Sequence, residues 1–103
     1  MEYCSIYITV GNEEEAAGIG RKLVEEKLAA CANILPAKSI YRWEENVEEE
    51  PEAVMFVKTR MELADSVIER VKALHSYEVP CIVVLPFSQG NPDYLKWIEE
   101  STG

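Results

Sequence analysis

Tyr3-Cys4-Ser5-Ile6-Tyr7-Ile8-Thr9-Val10 alternates side by side along an extended chain. Cys4, Ile6, Ile8 and Val10 fall on one face, and Tyr3, Ser5, Tyr7 and Thr9 on the other. Side chains of a strand alternate with a period of two, so this stretch reads as a strand with one wholly apolar face. Asn12 follows as a helix N-cap, with Glu15 three residues on as its capping-box partner. Glu13, Glu14 and Glu15 suit the positive end of the helix dipole. Ala16, Ile19, Gly20, Leu23, Val24 and Leu28 give that helix a buried stripe. Gly18 and Gly20 weaken a helix, so close packing against the sheet is their expected reason.

Residues 31–43 form a second extended segment, with an expected interruption at Pro36. Residues 44–52 (EENVEEEPE) read as an acidic turn region and residues 53–59 as a third strand, the two strands joined as a hairpin. Thr59 is expected to cap a second helix with Glu62 as its box partner. Leu63, Ala64, Val67, Ile68, Val71 and Leu74 line that helix, which ends near His75. Pro80 blocks continuation, and residues 81–87 form a fourth strand. Asn91 and Pro92 open a short amphipathic helix carrying Tyr94, Leu95, Trp97 and Ile98. The order predicts an α+β fold of the ferredoxin-like split βαβ kind over residues 1–103, one domain, plus a short C-terminal helix. Two helices cover one sheet face. Residues 81–85, however, are apolar toward both faces, and Tyr3 and Tyr7 point away from the helices. A patch of that kind predicts packing against further copies of the chain.

The chain has 103 residues and a net charge of −9, from 19 acidic and 10 basic side chains. That surface repels phosphate backbones and anionic lipid, so neither nucleic acid nor membrane is an expected partner. Three cysteines are an odd number with no C-x-x-C pair, and Met1-Glu2 runs into a strand pattern with no signal peptide between. Reduced thiols in a cytoplasmic protein are the expectation.

One histidine is present, within His75-Ser76-Tyr77-Glu78-Val79-Pro80-Cys81. Imidazole and thiolate suit copper or zinc, so His75, Glu78 and Cys81 are candidate metal ligands. One chain supplies too few ligands for a closed site, and a neighbouring subunit would complete it. A plainer reading makes His75 a helix-terminal residue bonded to backbone and Cys81 a strand residue. Tyr41, Trp43, Glu44, Lys58 and Tyr77 are candidates for a polar and aromatic ligand cleft or a subunit interface, with Glu44, Glu78 or a bound anion as the expected partner of Lys58. No nucleophile elbow and no phosphate-binding glycine loop is present, so no enzyme activity is predicted.

Five blocks carry a further signal: residues 26–34 (EKLAACANI), 39–44 (SIYRWE), 58–60 (KTR), 75–80 (HSYEVP) and 90–97 (GNPDYLKW). Together, and in this order, they resemble the CutA divalent-cation tolerance family. The resemblance implies a ferredoxin-like fold assembled as a homotrimer and binding of copper or another divalent cation, in a role in metal-ion tolerance. It implies no organic cofactor. The chain departs from the family pattern at Val10, Leu74, Ser76 and Cys81, and Arg42 and Glu45 interrupt the aromatic-Trp-Glu-Gly pattern. Two other functions compete with cation binding: a small-molecule-sensing trimer or enzyme with clefts between subunits, and a purely structural trimer.

Overall fold

A computed structural model describes residues 1–103. Its elements are β1 (Tyr3–Val10), α1 (Glu13–Glu25), β2 (Cys31–Trp43), β3 (Asn46–Arg60), α2 (Ala64–Leu74), β4 (Ile82–Pro86) and α3 (Pro92–Ser101), with one 3-10 turn at Met61–Leu63. The four strands form one antiparallel sheet in the order β2-β3-β1-β4. The expected α+β split βαβ arrangement is therefore present.

The alternation in β1 decides which side is the core. Cys4, Ile6, Ile8 and Val10 are fully buried, opposite Thr59, Val57, Met55 and Ala53 of β3. Ala16, Ile19 and Leu23 of α1 and Ala64, Val67 and Val71 of α2 close over them. Burying each larger aliphatic side chain contributes about 1.5–3 kcal/mol, so this layer is the main source of stability. Gly20 lets α1 lie close: a Cβ there would stand 3.2 Å from Ala32 Cβ and 3.3 Å from Met55 Cε. Gly18 meets no such neighbour, and Val24 is exposed, so the predicted stripe is narrower than its sequence suggests.

The caps follow the sequence at two helices and not at the third. Asn12 Oδ1 accepts from the Glu15 N–H at 2.7 Å, and Asn91 Oδ1 from the Asp93 N–H at 3.0 Å. Thr59 is not a cap. It is the penultimate residue of β3, fully buried, and its hydroxyl donates to the Leu28 carbonyl at 2.7 Å. Neither the 3-10 turn nor α2 has a side-chain cap. Helix α1 ends with Lys27 in the left-handed region, φ 61°, and the Leu28 and Lys27 N–H groups donate back to the Leu23 and Val24 carbonyls. This is a Schellman ending with lysine where glycine is usual.

The hairpin departs most from expectation. Strand β2 runs through Pro36 unbroken, paired with Ala53; it is an edge strand, where a missing N–H costs little. Residues 46–52 are not a loop. They continue β3 in register with β2 as far as the Trp43–Asn46 pair. Only Glu44 and Glu45 turn, with φ 47° and 72°. Positive φ at both central residues is the backbone of a type I′ hairpin turn. Strand β1 ends opposite Ala53, so everything beyond is a two-stranded arm, and the molecule measures 45 × 25 × 21 Å.

The other sheet face is only partly covered. Helix α3 lies over one end of it, with Ile98 buried, Tyr94 Oη 3.4 Å from Cys31 Sγ, and Arg60 donating to the Thr102 hydroxyl and carbonyl at 2.8 Å each. Further along, Leu35, Val83 and Leu85 stay exposed, as do Tyr41 and Trp43 on the same side of the arm. The fourth strand begins at Ile82, so Cys81 precedes it.

Candidate functional site

A cleft of about 800 Å³ opens where β1 stops and the arm continues. The α2–β4 connection fills one side of this gap. Its seat is set by five hydrogen bonds around His75 and Ser76. His75 caps the end of α2, its N–H donating to the Val71 carbonyl at 2.8 Å. Its side chain is fully buried. Nε2 lies 2.7 Å from the Thr9 carbonyl oxygen, and the Tyr77 N–H donates to Nδ1 at 3.0 Å. A carbonyl can only accept and an amide N–H can only donate, so Nε2 donates to Thr9 and Nδ1 accepts from Tyr77, with the Glu15 carboxylate 3.9 Å from Nδ1. Next to it, the Ser76 N–H and hydroxyl both donate to the Glu15 carboxylate at 2.9 Å. Glu15 thus ties α1 to this turn, its carboxylate accepting from Ser76 rather than closing the capping box on the Asn12 N–H.

One wall of the cleft comes from that connection: Tyr77, Glu78, Val79 and Cys81. The opposite wall comes from the arm. Tyr41 and Trp43 of β2 share a face with Glu48, Glu50 and Glu52 of β3, because directly paired strand residues point the same way. Two hydrogen bonds hold the walls. Tyr77 Oη donates to Glu52 Oε2 at 2.6 Å across the cleft, and Tyr41 Oη donates to Glu50 Oε2 at 3.2 Å. Burial, then the bond to Glu52 and the surrounding carboxylate charge, pushes the Tyr77 phenol far above the usual tyrosine range. Tyr41 is shifted the same way, first by desolvation and then by Glu50. No lysine, arginine or histidine lines the cleft.

The sequence-predicted residues therefore separate into three groups. Tyr41, Trp43, Tyr77, Glu78 and Cys81 meet at the cleft as one set. Glu44 does not; it sits in the turn at the arm's tip. Lys58 does not either. It lies opposite Cys31 and Ser5, and its ammonium donates to Asn33 Oδ1, so neither Glu44 nor Glu78 is its partner. Within one chain, Lys58 and Glu44 do not meet His75 and Tyr77 in a common pocket.

The metal reading of His75 also needs correction. Both ring nitrogens are engaged with backbone, so no lone pair is directed at Glu78 or Cys81. No three His, Cys, Asp or Glu side chains of the chain gather as a ligand group. His75, Glu78 and Cys81 do not fit a metal within one subunit. Sequence reasoning missed Glu48, Glu50 and Glu52. Their i, i+2 spacing was the available signal, hidden by reading the segment as a turn.

The CutA1 divalent ion tolerance family model matches residues 4–101. The chain belongs to this family. The divalent-cation tolerance protein CutA of Thermus thermophilus is 52% identical, over 95% of this chain and 96% of its own. The structure of the periplasmic divalent cation tolerance protein CutA from Archaeoglobus fulgidus superposes with a TM-score of 0.96 at 46% identity, covering 98% of this chain and 99% of that one. CutA1 from Oryza sativa superposes equally well, 0.96 at 40% identity, over 100% of this chain and 95% of its own. Similarity of this extent covers both the sheet and the arm, so the cleft sits on the family's shared framework.

Proposed function

We propose that this CutA-family chain is a cytosolic homotrimeric cation-binding protein, not an enzyme, that takes up copper or another divalent cation in metal-ion tolerance. The observation that carries the reading is the cleft itself: Glu48, Glu50, Glu52 and Glu78 line it with no basic side chain. Carboxylates in a concave site focus a negative potential, which the net charge of −9 reinforces. The family's description as divalent ion tolerance proteins agrees in sign. Cys81 on the rim supplies the one soft ligand, with a neighbouring subunit completing the coordination that a single chain leaves open. Trimerisation rests on the uncovered apolar sheet face and the protruding arm. An isolated two-stranded ribbon is marginal in water, and Trp43, 62% exposed near its tip, lacks a partner within the chain. The cytosolic location rests on three unpaired thiols.

Calorimetric titration of the purified protein with zinc, and with copper held as Cu(I) under reducing conditions, tests the reading. Saturable binding that Cys81→Ser or Glu78→Gln weakens at least about tenfold is expected, equivalent to about 1.4 kcal/mol. Absence of binding, or binding indifferent to both substitutions, contradicts it.

A further inference from the structure

We propose that the cleft binds an organic ammonium ion, a small amine or quaternary ammonium group held between the aromatic side chains and the glutamates. This rests on the cleft being a cation site and names the class of cation. Three features lead there. Glu48, Glu50 and Glu52 alternate along one strand face, so successive carboxylates start about 6.5–7 Å apart. Such a row cannot by itself converge at about 2.0–2.6 Å on one bare ion, which leaves that role to Glu78 and Cys81 with a neighbouring subunit. A cation with a diffuse charge and a larger radius matches a spread row. The volume of about 800 Å³ is that of a small-molecule pocket, far more than one ion requires.

The lining supplies the second half of the recognition. Tyr41, Trp43 and Tyr77 border the same space. Aromatic faces attract ammonium groups through the ring quadrupole, and most strongly where water is displaced. The two phenols donate to Glu50 and Glu52, which fixes both rings in the walls. Val79 adds an apolar rim beside Tyr77 for the alkyl part of such a ligand.

The test compares tetramethylammonium with tert-butanol, an uncharged molecule of similar shape. The intact protein is titrated with each in EDTA-containing buffer, at ionic strength matched with sodium chloride. Tetramethylammonium is expected to bind at least about tenfold more tightly than tert-butanol, and Trp43→Leu to weaken it about fivefold or more while circular dichroism stays unchanged. Equal affinities, no saturable binding of tetramethylammonium, or an unaltered Trp43→Leu variant overturns the proposal. A zinc titration of the same preparation separates the two readings. Zinc binding without tetramethylammonium binding removes this proposal and leaves divalent-cation binding standing; absence of both removes both.

Discussion

His75 is held from both sides of its ring, by the Thr9 carbonyl and the Tyr77 N–H. It is a clasp between the end of α2, the end of β1 and the cleft wall. Replacement by alanine removes two buried hydrogen bonds and leaves a cavity, and is expected to cost about 2–4 kcal/mol by urea denaturation. Cation affinity of the protein that remains folded is expected to be unchanged, because the imidazole does not face the cleft. The side chain was conspicuous in the sequence as the only histidine, but its two backbone partners were not. Thr9 is 66 residues away along the chain, and no local pattern reveals which way a ring turns. Tyr77 gives a second prediction at this scale. Its folded-state pKa is raised, so the protonated phenol is the form the fold stabilises. That contribution is complete below about pH 10, the ordinary tyrosine value, and is lost as pH rises through the higher folded value. Tyrosinate absorbance at 295 nm should retain a late-titrating fraction that Tyr77→Phe diminishes, with a shallower alkaline loss of stability in the variant. A Tyr77→Phe titration identical to the parent contradicts this.

Among the elements, the β2–β3 arm governs the site. Its turn carries Glu44 and Glu45, both in the left-handed region. A residue with a Cβ resists that region by about 1–2 kcal/mol, and glycine does not. Glu45→Gly is therefore expected to raise stability to denaturant by about 1 kcal/mol without altering the sheet; a loss of stability shows that the glutamate makes a contact outweighing the strain. The core strands and helices were legible because period-two alternation in β1 and the apolar stripes of α1 and α2 each have one dominant cause, burial. The arm was not legible. Glu48, Glu50 and Glu52 are polar on one face, and Glu49 and Pro51 on the other, so no apolar alternation marks residues 48–52 as a strand. Register with the more apolar β2 imposes the extended form there. Thr59 misled for a related reason. A threonine three residues before a glutamate has the pattern of a cap, and only the long reach of β3 reserves it for Leu28. The candidate cleft was half legible. Tyr41, Trp43 and Tyr77 were identified as cleft or interface candidates and Glu78 and Cys81 as candidate metal ligands, two sets the sequence alone did not join, and the carboxylates facing them required the arm.

For the whole molecule, the sheet has one finished face and one unfinished. Helix α3 protects the end near Cys31 and Arg60, and Leu35, Val83 and Leu85 remain open beyond it. Arm and open face together make a surface that a single 11.7 kDa chain leaves in water. Three copies covering it for one another would support each arm and set a neighbour beside each cleft, which is how a chain with too few ligands could complete a cation site. Sedimentation velocity with dilution into the nanomolar range tests this most directly. A single species of three times 11.7 kDa that persists on dilution is the predicted result, and a stable, well-folded species of 11.7 kDa is the contradictory one.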